Sequence, residues 1–120
     1  MGPVHFINLD IRDPWYNQPN TASITDQLYN LLKDDLDKIS LRRDEFPFIV
    51  VYGHYPFECS IRKSYCTQTI FNRIKAFEDL MFEYKVDLYY CGHLHGYERT
   101  YPLNNHVNFI NRTTDTVNYF

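Results

Sequence analysis

The stretch Phe46-Pro47-Phe48-Ile49-Val50-Val51-Tyr52-Gly53 constrains this chain more than any other. It is β-branched and aromatic almost throughout, which favours the pleated backbone of a strand. The lack of alternating polar positions predicts burial on both faces, as in a sheet covered by helices. The run stops at a glycine, and Gly53-His54-Tyr55-Pro56 follows. The pattern recurs further on: Val86-Asp87-Leu88-Tyr89-Tyr90-Cys91 ends at Gly92-His93-Leu94-His95-Gly96. Two buried strands therefore each deliver imidazoles just beyond their carboxyl ends.

The rest of the chain supplies what such strands need. Val4 to Leu9 has strand length and apolar content. Asp13 to Asn20 is turn-rich and reads as a loop. A helix is predicted from Ser23, with Ser23 and Asp26 at capping-box spacing and Leu28, Leu32, Leu36 and Ile39 on one face. Asp34, Asp35 and Asp37, interleaved with Lys33 and Lys38, read as its solvated face. A second helix carries Ile70, Ile74, Phe77, Met81 and Tyr84 at alternating spacings of four and three, a core stripe rather than a cofactor box. Asn108 to Phe120 alternates weakly and is a candidate last strand. The order strand, helix, strand, helix, strand predicts an α/β sheet, in which ligands bind beyond the carboxyl ends of the strands.

His93-Leu94-His95 taken alone is most simply a pair of incidental loop histidines. If the backbone there stays extended, however, both imidazoles point the same way. Neutral imidazoles in that arrangement suit divalent metals. His54 at a second strand end strengthens the metal reading.

Composition narrows the function by exclusion. With 44% hydrophobic and 22% charged residues the chain is globular rather than disordered. At 120 residues it is at most one domain or part of one. A formal net charge of −3 with scattered basic residues offers no nucleic-acid or anionic-membrane surface, and no run suits a membrane span. The 11 Tyr and 9 Phe suit strands and ligand clefts without naming a function. The N-terminus lacks the charged and long apolar segments of a secretory signal, so the chain taken literally starts in the cytoplasm. Cys59, Cys66 and Cys91 are an odd number and cannot all pair, and Asn111-Arg112-Thr113 is a sequon with meaning only in a secreted chain.

Gly53-His54-Tyr55-Pro56, together with Val86-Asp87-Leu88 and Gly92-His93-Leu94-His95-Gly96-Tyr97-Glu98-Arg99, resembles the C-terminal half of a calcineurin-like metallophosphoesterase, specifically a purple acid phosphatase. The resemblance spans Val4 to Pro102 and implies an α/β fold, the C-terminal half of a metallophosphoesterase β-sandwich flanked by helices. It implies that His54 and His93 bind a divalent metal and His95 a ferric ion, in a dinuclear centre of Fe(III) with Zn(II), Fe(II) or Mn(II). The implied substrate is a phosphate monoester, with no nucleic-acid or membrane partner. Tyr97, Glu98 and Arg99 are expected to brace the histidine loop. Cys59 and Cys66 match a cysteine pair that forms a disulfide in animal-type members, and reduced thiols are the equal alternative without a signal segment. Plant-type members carry assisting histidines after His54, where this chain has Ile61-Arg62-Lys63-Ser64, so Arg62 and Lys63 are candidate phosphate contacts.

The family also uses an N-terminal set of ligands, namely Asp-x-x or Asp-x-His, Gly-Asp-x-x-Tyr and Gly-Asn-His-Glu groups. None is present; Asp10 and Asp13 lack the motif context. The expectation is therefore a partial catalytic domain over residues 1–120, with little activity alone. Full-length relatives would belong in a secreted, lysosomal or vacuolar compartment. A non-catalytic metal-binding remnant is the alternative. A phosphodiesterase or protein phosphatase is disfavoured by the Tyr-Glu-Arg extension.

Overall fold

The computed structural model describes residues 2–11, 21–57, 68–101, 103–104, 107–108 and 118–119. In chain order the elements are β1 (Val4–Leu9), α1 (Thr21–Ser40), β2 (Phe48–Gly53), α2 (Gln68–Glu83), β3 (Leu88–Tyr90), β4 (Leu103–Asn104), β5 (Val107–Asn108) and β6 (Asn118–Tyr119). β1, β2, β3 and β6 form one parallel sheet in that spatial order, and β4 and β5 form a small antiparallel pair. The α/β expectation holds. The last strand of the main sheet is only Asn118–Tyr119, within the longer segment that the alternation suggested.

Two successive strand–helix–strand units step in the same direction across the sheet. Because such crossovers are right-handed, both helices fall on one face. Burial follows from this. Ile7 and Leu9 of β1, Ile49 and Val51 of β2 and Tyr89 of β3 pack with Leu32, Leu36 and Ile39 of α1 and with Ile74, Phe77 and Met81 of α2. Among the described residues, the predicted helix stripes thus form the core or, at Leu28 and Tyr84, pack against it. Glu78, fully buried on α2, departs from the apolar pattern.

The expected burial of β2 on both faces is not found. Phe48 and Tyr52 are 52% and 42% exposed, as are Phe6 (65%) and Tyr90 (59%). Register makes these side chains neighbours: Phe6 pairs with Val50, Val4 with Phe48, and Tyr52 with Tyr90. Among the described residues, one apolar sheet face therefore carries helices and the other does not.

Three details of the helices differ from the sequence reading. α1 begins at Thr21, two residues before the predicted start at Ser23. Asp35 and Asp37 are half-buried rather than fully solvated, Asp35 against His5 (3.1 Å) and Asp37 against Lys33 (2.7 Å) and the Tyr84 hydroxyl. Those two donors hold the Asp37 carboxyl below the usual aspartate range. α2 ends in a Schellman motif: Lys85 N–H donates to Phe82 O (3.1 Å) and Val86 N–H to Met81 O (2.9 Å). Lys85 occupies the left-handed position, φ 55°, that glycine usually fills. Val86 and Met81, both fully buried, supply the hydrophobic contact that accompanies this motif.

Candidate metal centre

His54 follows β2 and His93 follows β3 by a few residues, and the Tyr52–Tyr90 register sets the two strand ends level. The loops are then tied directly, by Gly92 N–H donating to His54 O at 3.1 Å. His54 Nε2 and His93 Nδ1 lie 3.1 Å apart, with ring centroids at 5.1 Å. The Tyr55 ring packs on both imidazoles, 4.8 Å from His54 and 4.7 Å from His93. Gly53 has a steric reason: a Cβ there would stand 2.6 Å from the Leu9 carbonyl and 2.7 Å from the Tyr89 hydroxyl.

The turn that carries His93 is tighter than an extended strand end. Leu94 N–H donates to Gly92 O at 2.9 Å around His93, whose φ is 70°, the rare positive-φ form of the γ-turn. His95 is also left-handed, φ 49°, whereas none of the glycines has a positive φ. The backbone through the two histidines is bent, so the period-two argument for their common direction does not apply. Leu94, 8% exposed, anchors the turn from one side, and the Gly92–His54 bond holds it from the other. Strain of this kind persists only where the surroundings over-determine it, and it concentrates at functional sites.

The donor pair fits one metal ion. At metal–nitrogen distances of about 2.0–2.1 Å, two nitrogens 3.1 Å apart subtend about 98° at a shared ion. That lies between octahedral and tetrahedral angles. Both atoms are imidazole nitrogens, whose lone pairs suit zinc and other first-row divalent metals.

Other predicted residues stand apart from the pair. His95 is exposed, and among the described residues no group of three or more His, Cys, Asp or Glu side chains gathers around a metal position. Asp10, at the end of β1, is exposed. Tyr97 is 86% exposed, so it does not brace the loop by burial. Burial, and secondly the Glu98 charge, push the Cys91 thiol up to about 11, which keeps it protonated and unsuited to ligate at neutral pH. Arg62, Lys63, Cys59, Cys66, Asp13 and the sequon at Asn111 lie outside the described residues. Sequence reasoning did not single out Tyr55, Tyr89 or Leu94; their roles depend on hydrogen bonds and packing that periodicity does not encode.

The family profile of the calcineurin-like phosphoesterases matches residues 6–97. The chain belongs to that family. Among its relatives, an acid phosphatase of Aspergillus ficuum is 38% identical over 88 residues, covering 73% of this chain and 12% of its own. Mouse acid phosphatase type 7 is 28% identical over 117 residues, covering 91% of this chain and 26% of its own. A probable inactive purple acid phosphatase of Arabidopsis thaliana is 30% identical over 107 residues, covering 89% and 15%. In fold, the chain is similar to a purple acid phosphatase from yellow lupin seeds, with TM-score 0.70 and 18% identity over 98% of this chain and 21% of that one. The chain thus spans about a quarter or less of the length of these proteins.

Proposed function

We propose that this chain supplies the histidine side of a metal-dependent phosphomonoesterase site of acid-phosphatase type. The observation that carries the reading is the 3.1 Å approach of His54 Nε2 and His93 Nδ1 at the carboxyl ends of adjacent parallel strands. His54 and His93 would hold one divalent ion, Zn(II), Fe(II) or Mn(II). His95, on the same loop, would hold the ferric ion of a dinuclear centre. When bound, such a centre acidifies a water, clamps phosphate oxygens and shields their charge during in-line attack. The chain's own contribution is to hold neutral donors in place, which leaves the site positive toward an anionic ester. Arg62 and Lys63, cationic and close after His54 in sequence, would contact the phosphate. Tyr97, Glu98 and Arg99, just after His95 and Gly96 in sequence, would brace the histidine loop through hydrogen bonds and an ion pair. An acid phosphatase of this type would act in a secreted, lysosomal or vacuolar compartment, where a Cys59–Cys66 disulfide would persist.

A second reading, a non-catalytic metal-binding remnant, is favoured by one observation: no carboxylate joins the histidine pair among the described residues. Three histidines without a bridging carboxylate hold at most one Zn(II) and hydrolyse little. Metal analysis of the purified chain with an aryl phosphate assay separates the two readings. The expected result for the isolated chain is one bound metal ion and almost no turnover. About two metals per chain, with turnover abolished in His93→Ala, would show a complete site and exclude the remnant. No metal binding under any condition would sink both.

A further inference from the structure

Tyr89 is fully buried in the middle of the sheet, a position where packing alone asks only for an apolar ring. Its ring does pack, with Phe57 at 4.6 Å between centroids. Its hydroxyl is the part that packing does not explain. That hydroxyl donates to the Tyr55 carbonyl at 2.8 Å and sits over Gly53, in space that any side chain there would invade. Tyr55 in turn lays its ring against both His54 and His93. One residue further back, His54 O accepts from Gly92 N–H. Two consecutive carbonyls of the His54 loop are thus held by two groups of the β3 segment.

We propose that Tyr89 is a positioning residue for the metal centre: its hydroxyl, through the Tyr55 carbonyl and ring, fixes the separation of the His54 and His93 imidazoles. The inference rests on the reading of those two histidines as ligands. Burial raises the phenol well above its ordinary range, so it remains a donor at any pH the protein meets. Outer groups that orient a ligand typically change metal affinity by about 10–100-fold when removed.

The test is Co(II) titration of the full chain, read by affinity and by the visible ligand-field spectrum. Tyr89→Phe keeps the ring and removes the donor. It is expected to weaken Co(II) binding by about tenfold and to alter the spectrum. Tyr89→4-aminophenylalanine, which restores a donor, is expected to recover both. Tyr84→Phe removes a hydroxyl that bonds Asp37 far along the chain from the histidines, and is expected to leave both unchanged. Wild-type affinity and spectrum in Tyr89→Phe, with binding lost in His54→Ala, would overturn the role of Tyr89 alone. Equal weakening in Tyr84→Phe would overturn it too, by reducing the effect to general stability. Unimpaired binding in His54→Ala would remove the ligand assignment and the inference with it.

Discussion

Arg43 Nη1 donates to Asp87 Oδ2 at 2.9 Å, and the same oxygen accepts from the Ile49 backbone N–H at 2.8 Å. Arg43 also donates to the carbonyls of Pro47 (3.0 Å), Tyr84 (3.0 Å) and Lys85. One guanidinium therefore joins the turn before β2 to the turn before β3. It sets the two strands level at the end opposite to the histidines.

Arg43→Ala is expected to destabilise the fold by about 1–3 kcal/mol, since it removes the part-buried, charge-assisted bonds to Asp87 and to the Tyr84 carbonyl. Arg43→Lys should recover little, because one ammonium cannot reach the fork's several acceptors. Chemical denaturation of the two variants checks both statements. A change within about 0.5 kcal/mol, typical of a surface site, would show the clamp to be decorative.

Two left-handed residues give a second test. Lys85→Gly is expected to stabilise the chain by about 0.5–1 kcal/mol, the left-handed strain relieved less the entropy that glycine adds to the unfolded state. At His93 the informative comparison is between Gly and Ala, neither of which can ligate. Gly is expected to be more stable than Ala by about 1–2 kcal/mol if the γ-turn is retained and strained. Equal stability would mean that the turn relaxes when the imidazole is removed.

The exposed face of the sheet supplies a third. Phe6 and Tyr90 lie on it with their rings mostly in solvent. Phe6→Lys with Tyr90→Lys is expected to reduce self-association while changing stability by less than about 1 kcal/mol, because contiguous exposed apolar surface drives association rather than folding. Sedimentation and a melt measured on the same sample decide it. A large loss of stability would show that these rings are covered in solution.

The sequence was most legible where one periodicity acted alone. Val4–Leu9 is the strand that its residues announce, and Leu32, Leu36, Ile39, Ile74, Phe77 and Met81 fill the core as helical spacing requires. The apolar β2 run misled about its faces, because chain composition is blind to which side the crossovers place the helices. Gly-His at two strand ends singled out His54 and His93, whose imidazoles the structure brings to 3.1 Å. His95 was harder to place, since an alternating pattern presumes extended backbone, and the γ-turn at His93 breaks it. Arg43 and Tyr89 act through backbone carbonyls distant in sequence, for which no local pattern exists.

The central claim is that His54 and His93 share one metal ion, and titration with Co(II) or Zn(II) by calorimetry tests it most directly. His5, held against Asp35 of α1 and paired in register with Ile49 near the start of β2, serves as the control histidine. The account predicts one site per chain, weakened at least tenfold (about 1.4 kcal/mol) in His54→Ala and in His93→Ala, and unchanged in His5→Ala. Binding that survives in both His54→Ala and His93→Ala with wild-type affinity would contradict it.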